Sequence, residues 1–122
     1  MKTVEAVIED AGIYSISDLF RKKPPGLRFN ENDALVLVAR TSEGGQATAT
    51  FYMSLKPDGT FEEETIGTDA SKARRHKLAA FLRYYGITED VSTYNLRDGA
   101  FGLKGRTVEV VPTESDMFIY IP

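Results

Sequence analysis

The sequence predicts a mainly antiparallel β fold with one long helix, and two observations support that prediction. Asp69 to Gly86 is the segment with a sustained helical period and clear end signals. Segments that alternate apolar and polar residues, or that are apolar throughout, lie on both sides of it, as expected of strands. We therefore expect the helix to lie with its apolar face on a sheet built from the flanking segments.

Length and composition limit the classes of protein that this chain can be. At 122 residues it fits one domain, residues 1–122, and its 42% apolar residues are ordinary for a globular protein. The chain has no Cys, which excludes disulfides, thiolate zinc sites and a cysteine nucleophile. The single histidine, His76, argues against a histidine-rich metal site or a Ser/His/Asp triad. We expect a protein without cofactor or enzymatic activity.

The start of the chain lacks the apolar segment of a signal peptide, and no run approaches the roughly 20 apolar residues of a membrane span. The absence of Cys fits a reducing compartment. These observations together lead us to expect a cytoplasmic protein with no membrane association.

The amino-terminal part of the chain, up to Leu55, is expected to form a meander of strands. Val4 to Glu9 alternates, and Gly12 is interpreted as a bulge or bend before Ile13 to Phe20, so one long bent strand accounts for both pieces. Ala34 to Arg40 is apolar on both faces, which is typical of a central strand. Gln46 to Leu55 alternates again after a glycine-containing hairpin loop.

The remaining elements complete the predicted fold. Pro57-Asp58-Gly59 is a turn signal, so Thr60 to Ile66 is expected to pair back as an acidic edge strand. After the helix, Arg106 to Val111 and Met117 to Ile121 are expected to form a closing hairpin. A helix between a strand meander and a closing hairpin is the element order of a small OB-like barrel.

The helix has one apolar face and a crowd of cations at its start. The apolar face comprises Leu78, Phe81, Leu82 and Tyr85. Asp69 is predicted to cap the helix and Gly86 to end it. The cations of the first two turns are Lys72, Arg74, Arg75, His76 and Lys77, although a helix N-terminus already carries about half a positive charge.

Two interpretations of that cluster remain open. An anion from a ligand would relieve the crowding of positive charge. Alternatively, Arg74 and Arg75 reach the acidic run Glu62-Glu63-Glu64 in internal ion pairs. His76 is expected to be a solvated helix residue rather than a catalyst.

The carboxy-terminal half carries a resemblance to a known family. HKLAAFLRYYGI, from His76 to Ile87, is followed by FGLKGRTVEVV, from Phe101 to Val111. This order of a helix and then a leucine, a Gly-basic pair and a valine-rich strand resembles the ending of phage and archaeal single-stranded-DNA-binding OB domains. The resemblance covers about half of the chain, and it implies a non-enzymatic protein that binds single-stranded DNA.

Such binding needs cations for the phosphates and exposed aromatic faces on which bases stack. Tyr52 lies on the polar face of its strand, and Phe118 and Tyr120 alternate with Met117 and Ile119 on the last one. The candidate phosphate contacts are Arg21, Lys22, Lys23, Arg40, Arg74, Arg75, Lys104 and Arg106. For Tyr52 a purely structural role is the alternative, because aromatic residues favour sheets.

Two motif-like stretches are rejected as functional sites. Lys104-Gly105-Arg106-Thr107 has neither the spacing nor the following helix of a phosphate-binding loop. Glu62-Glu63-Glu64 would point to opposite faces of a strand, which argues against a metal site.

The alternative function is a small accessory or inhibitor module that binds a protein, which the net charge of −3 also suits. RNA in place of DNA, and the oligomeric state, are left open.

Overall fold

The computed structural model of the chain describes residues 2–19, 32–64 and 69–122. Within them the strands are β1 (Val4–Ser15), β2 (Asp33–Thr41), β3 (Gln46–Met53), β4 (Thr107–Pro112) and β5 (Met117–Ile119). The helices are α1 (Ile16–Leu19), α2 (Asp69–Tyr84) and α3 (Leu96–Gly99), followed by a 3-10 turn (Ala100–Leu103).

The described strands form one antiparallel sheet in the order β3-β2-β1-β4-β5. The sheet curls so that β5 comes to lie beside β3 and the barrel is nearly closed. Met117, the first residue of β5, lies against the β2–β3 hairpin, since a Cβ built on Gly45 would stand 2.9 Å from the Met117 methyl carbon. The fold is a small OB-like barrel, as predicted.

The core lies between the inner face of the sheet and α2. Leu35 and Leu37 of β2 are fully buried, which agrees with the central position predicted for that strand. The ring of Phe51 on β3 packs against that of Phe81 on α2, with 5.2 Å between centroids. The predicted apolar face of α2 therefore lies on the sheet, with Tyr85 packed at its edge.

The ends of α2 match the sequence signals to within one residue. Asp69 was predicted as the N-cap, the residue just before the helix, and it is instead the first residue of the helix. Gly86 has φ of 68°, a left-handed conformation that a glycine adopts without strain at a helix end. The described part of the chain has no helix with the length and apolarity needed to cross a membrane.

β1 is the long bent strand that the sequence predicts, but its irregularity lies elsewhere. The register shifts between Ile8 and Asp10, so Glu9 is the bulged residue. Gly12 is paired regularly with Val36, and the interpretation of Gly12 as a bulge was wrong. The predicted extension through Phe20 was also wrong, because the strand ends at Ser15 and continues into α1.

The predicted edge strand after the turn is absent from its described part, residues 60–64. The turn itself exists, with the amide of Lys56 donating to the carbonyl of Thr60 at 2.8 Å. Phe61 then enters the core, fully buried, and the chain leaves the sheet. Burial of one large aromatic side chain outweighs the weak strand preference of the acidic run that follows it.

The closing hairpin is β4 and β5, which pair from Val110 opposite Ile119 to Pro112 opposite Met117. Between α2 and this hairpin the chain forms α3 and the 3-10 turn where the sequence predicts only a loop and a turn. Leu96, Ala100 and Leu103 are buried in the core from these two short elements. They therefore add helical turns, and not strands, to the wall of the core.

Candidate functional site

The outer face of β1, β2 and β3 carries two tyrosines in one cross-strand row. Tyr14 of β1 is paired with Ala34 of β2, and Ala34 is paired with Tyr52 of β3. Residues paired across antiparallel strands project to the same side of the sheet. Two strand spacings, about 10 Å, therefore separate the backbones of the tyrosines, with the small side chain of Ala34 between them.

The ring of Tyr14 lies over Gly12, which precedes it by two residues on the same face. A Cβ built on Gly12 would stand 3.2 Å from Cε2 and 3.3 Å from the hydroxyl oxygen of Tyr14. The absence of a side chain at Gly12 thus leaves the space that the ring occupies. Tyr14 remains 41% exposed, so part of an aromatic ring held on the sheet is open to a ligand.

Tyr52 is half-buried in a small cluster on the outer face. It packs with Ile16 of α1, Ala34 and Val36, apart from the main core. The alternation predicted for β3 is confirmed, because Ala47, Phe51 and Met53 face the core and Thr48 and Thr50 are exposed. Tyr52 therefore has a structural role in the cluster and also forms part of the outer surface beside Thr50.

Arg40 lies on the outer face near the opposite end of β2 and pairs with the bulged residue of β1. Its Nε donates to Glu9 Oε2 at 2.7 Å and its Nη2 donates to Oε1 at 3.0 Å. This hydrogen bonding lowers the pKa of the Glu9 carboxyl and raises the pKa of the Arg40 guanidinium from their ordinary values. Arg40, which was predicted to contact a phosphate, is thus an exposed cation that is already paired with the carboxylate of Glu9.

Lys104 and Arg106, two further cations predicted near the ligand, do not join this face. Lys104 lies after the 3-10 turn, with Nζ 5.0 Å from the ring centroid of Phe101. Arg106 donates from Nη1 to the carbonyl of Tyr85 at 3.4 Å, just beyond the C-terminus of α2, where a cation is favourable. Both residues belong to the connection that leads into β4.

The basic start of α2 is partly built into the protein. Arg75 is 3% exposed, and its Nη1 donates to the carbonyl of Ser71 at 3.2 Å. Arg74 is half-buried. The acidic run has partners nearby: Glu62 pairs with Lys56, Glu63 pairs with Arg83, and Glu64 is hydrogen-bonded to His76.

One of these pairs is bidentate. Arg83 donates to the two carboxylate oxygens of Glu63 at 2.8 and 2.9 Å, and this bonding lowers the pKa of Glu63. Glu62, Glu63 and Glu64 thus have partners in Lys56, Arg83 and His76, and the pairing of this run with Arg74 and Arg75 stays a prediction.

A second aromatic surface lies on the closing hairpin, whose strand β5 lies beside β3 in the nearly closed barrel. Phe118 is 54% exposed, in the outward phase predicted for it. Tyr120 is half-buried, with its ring at an edge-to-face distance of 5.6 Å from Tyr84. Tyr84 donates to Glu109 at 2.5 Å, and this bond raises the pKa of Tyr84 to about 12.

The basic segment Arg21, Lys22 and Lys23 falls outside the described residues. The described residues hold no group of three His, Cys, Asp or Glu side chains that could bind a metal ion. Sequence reasoning missed Tyr14, Gly12 and Glu9. The period-two spacing of Gly12 and Tyr14, out of phase with apolar Ile13, was a signal that could have found the first two.

The fold and this face define the class of the protein, an OB-like barrel with an aromatic row on its outer surface. In comparisons with known proteins, no family model, no curated protein and no solved structure matches the chain. The proposed function therefore rests on the geometry described above.

Proposed function

We propose that the protein binds single-stranded DNA, without catalysis, on the outer face of β1, β2 and β3. The observation that supports this most directly is the ring of Tyr14, which lies over Gly12 and shares a cross-strand row with Tyr52. Every base has a π face, so stacking on such rings binds single strands with little regard to sequence, at about 1–3 kcal/mol per base.

The rest of the face fits an extended strand. Thr48 and Thr50 present exposed side chains along β3, and Val36 and Val38 lie half-buried beside them on β2. Arg40 lies six residues from Ala34, about 20 Å along the strand, at a distance that a few nucleotides can span. The face therefore combines stacking surface with hydroxyl groups and one cation for a phosphate.

The test is a fluorescence-anisotropy titration of a labelled single-stranded oligonucleotide, with duplex DNA and single-stranded RNA as competitors, at low and moderate salt. Under this proposal the protein should prefer single-stranded to duplex DNA, and its affinity for the oligonucleotide should fall as the salt concentration rises. Tyr14→Ala should weaken binding about 5- to 150-fold, the equivalent of losing one stacked base. Phe101→Ala, which removes an exposed aromatic ring on the 3-10 turn, should leave the affinity unchanged.

Two results would contradict the proposal. Absence of binding at low salt would reject nucleic acid as the ligand. Loss of affinity in Phe118→Ala but not in Tyr14→Ala would move the site to the closing hairpin.

Phe101 favours a second candidate, a module that binds another protein. Its ring is 71% exposed, whereas Ala100 and Leu103 of the same 3-10 turn are buried and hold it in place. Rigidly presented aromatic side chains are typical anchors of protein interfaces. Under this candidate the chain ignores oligonucleotides, and binding to its partner weakens little with salt but strongly in Phe101→Ala.

A further inference from the structure

Glu9 is the bulged residue of β1, and its side chain lies against Arg40 of β2. Ile8 pairs with Ala39 and Asp10 with Val38, so Glu9 is an extra residue with no partner of its own in the ladder. A bulge of this kind redirects the side chain that it carries. In the ladder the residue opposite Arg40 is Val7, and Glu9 follows Val7 by two residues on the same outer face, diagonal to Arg40.

The contact between the two side chains has the geometry of phosphate recognition. Two guanidinium nitrogens of Arg40 face the two oxygens of Glu9, at 2.7 and 3.0 Å. The third nitrogen, Nη1, donates to the carbonyl of Gly44 at 3.2 Å and so orients the guanidinium. A planar fork held in this way binds a carboxylate or a phosphate with the same two donors.

The pair is open to solvent and lies beside a cleft. The side chains of Arg40 and Glu9 are 47% and 37% exposed, and exposed ion pairs are held weakly. The cleft is lined by Glu5, Ala6, Val7, Glu9, Arg40, Thr41 and Ser42. A ligand anion can therefore reach the donors of Arg40 without disturbing the core.

We propose that Glu9 is a built-in competitor for a phosphate site at Arg40, so that a backbone phosphate of bound nucleic acid takes the two donors that Glu9 holds in the free protein. This inference rests on the proposed function. In the bound state the displaced carboxylate turns into solvent, and its negative charge still repels the neighbouring phosphates. Glu9 thus lowers the affinity of the outer face and limits weak binding to other anions.

The first experiment compares Glu9→Gln with Glu5→Gln in the anisotropy titration. Both variants remove one negative charge from the same cleft, but Glu5 makes no described contact with Arg40. Glu9→Gln should bind the oligonucleotide about two- to fivefold more tightly, the size of an exposed ion pair, and Glu5→Gln should gain less. In an Arg40→Gln background the gain from Glu9→Gln should disappear. Equal gains in Glu9→Gln and Glu5→Gln would overturn the inference.

A second experiment separates this inference from the proposed function. Inorganic phosphate is titrated into the protein while the Nε–H resonance of Arg40 is followed by NMR. Glu9→Gln should shift this resonance at lower phosphate concentration than the wild type or Glu5→Gln. The same response in all three proteins would overturn the competition even if the oligonucleotide binds.

The converse outcome is also informative. If phosphate reaches Arg40 preferentially in Glu9→Gln while no variant binds the oligonucleotide, Glu9 competes for an anion site as inferred. The proposal of single-strand binding would then be the part that fails.

Discussion

The side-chain hydroxyl of Tyr85 donates a hydrogen bond to the backbone carbonyl of Tyr120, with 2.6 Å between the two oxygens. The same hydroxyl accepts from the amide of Glu109 at 3.2 Å. The hydroxyl group lies just beyond Val110 and Ile119, which are paired with each other in the β4–β5 ladder. One side chain after the end of α2 therefore links the helix to both strands of the closing hairpin.

Tyr85→Phe tests this link. The substitution keeps the ring but leaves a backbone donor and a backbone acceptor without their partner, which should lower the free energy of unfolding by about 1–3 kcal/mol. Urea denaturation measures the change. Tyr120→Phe is the control, because it preserves the backbone carbonyl, and it should be nearly neutral. Equal effects of the two substitutions would show that the bridge does not contribute to stability.

Phe81→Ala tests the contact between α2 and the sheet. Phe81 is fully buried against Phe51 and Tyr85, so its truncation should cost about 3–5 kcal/mol of stability. Thermal and urea denaturation measure it against Phe118→Ala, the same substitution at an exposed site. A change near zero in Phe81→Ala would mean that α2 does not cover the core.

Gly12→Ala tests how Tyr14 is held. The added methyl group would meet the end of the Tyr14 ring at 3.2 Å, so the ring should move while stability changes by less than about 1 kcal/mol. NMR contacts between the Tyr14 ring and the backbone at position 12 report the movement. Binding of single-stranded DNA should weaken with it.

In a Tyr14→Ala background, Gly12→Ala should have no further effect on binding. An additional loss there would show that Gly12 acts independently of the ring. It would also remove the main support for Tyr14 as the stacking surface.

The pKa of Tyr84 gives a prediction at alkaline pH. The hydrogen bond to Glu109 raises this pKa from 10.0 to about 12. A raised pKa in the folded state means that the stabilisation is complete below pH 10 and is lost as pH rises from 10 to about 12. Burial also raises the pKa values of Tyr85 and Tyr94, so spectrophotometric titration of tyrosinate should show several late ionisations. The contribution of Tyr84 should shift towards 10 in Glu109→Gln. The same titration curve in wild type and variant would contradict the assignment.

Local patterns were enough to predict most elements. The spacing of Leu78, Phe81 and Leu82 predicts α2, because helical periodicity depends only on neighbouring turns. The alternation of β3 predicts its inner and outer faces in the same way. The edge strand at Thr60 failed because burial of Phe61 is a tertiary contact that its immediate neighbours in the chain do not encode.

The candidate site was only partly predictable. Tyr52 was identified from its outward phase on β3, and Arg40 was named as one of several cations that could contact a phosphate. Arg75 was also expected at the ligand, but it is buried, since the long stem of an arginine can follow the apolar side of a helix inward. Tyr14 was missed because two tertiary features make it a candidate stacking surface. Its ring occupies the space left by the missing side chain of Gly12, and its pairing with Ala34 places it in one row with Tyr52.

The sequence by itself determined an OB-like arrangement of strands around one helix, because polar and apolar periodicity and turn residues act over a few positions. Only the tertiary structure decided which outward side chains meet. Tyr14 and Tyr52 are 38 positions apart in the numbering and share a row through strand pairing. Glu9 and Arg40 are 31 positions apart and come together because β1 pairs with β2 in this register. Register is set by the whole core, since a shift of one residue would turn every side chain of a strand to the other face.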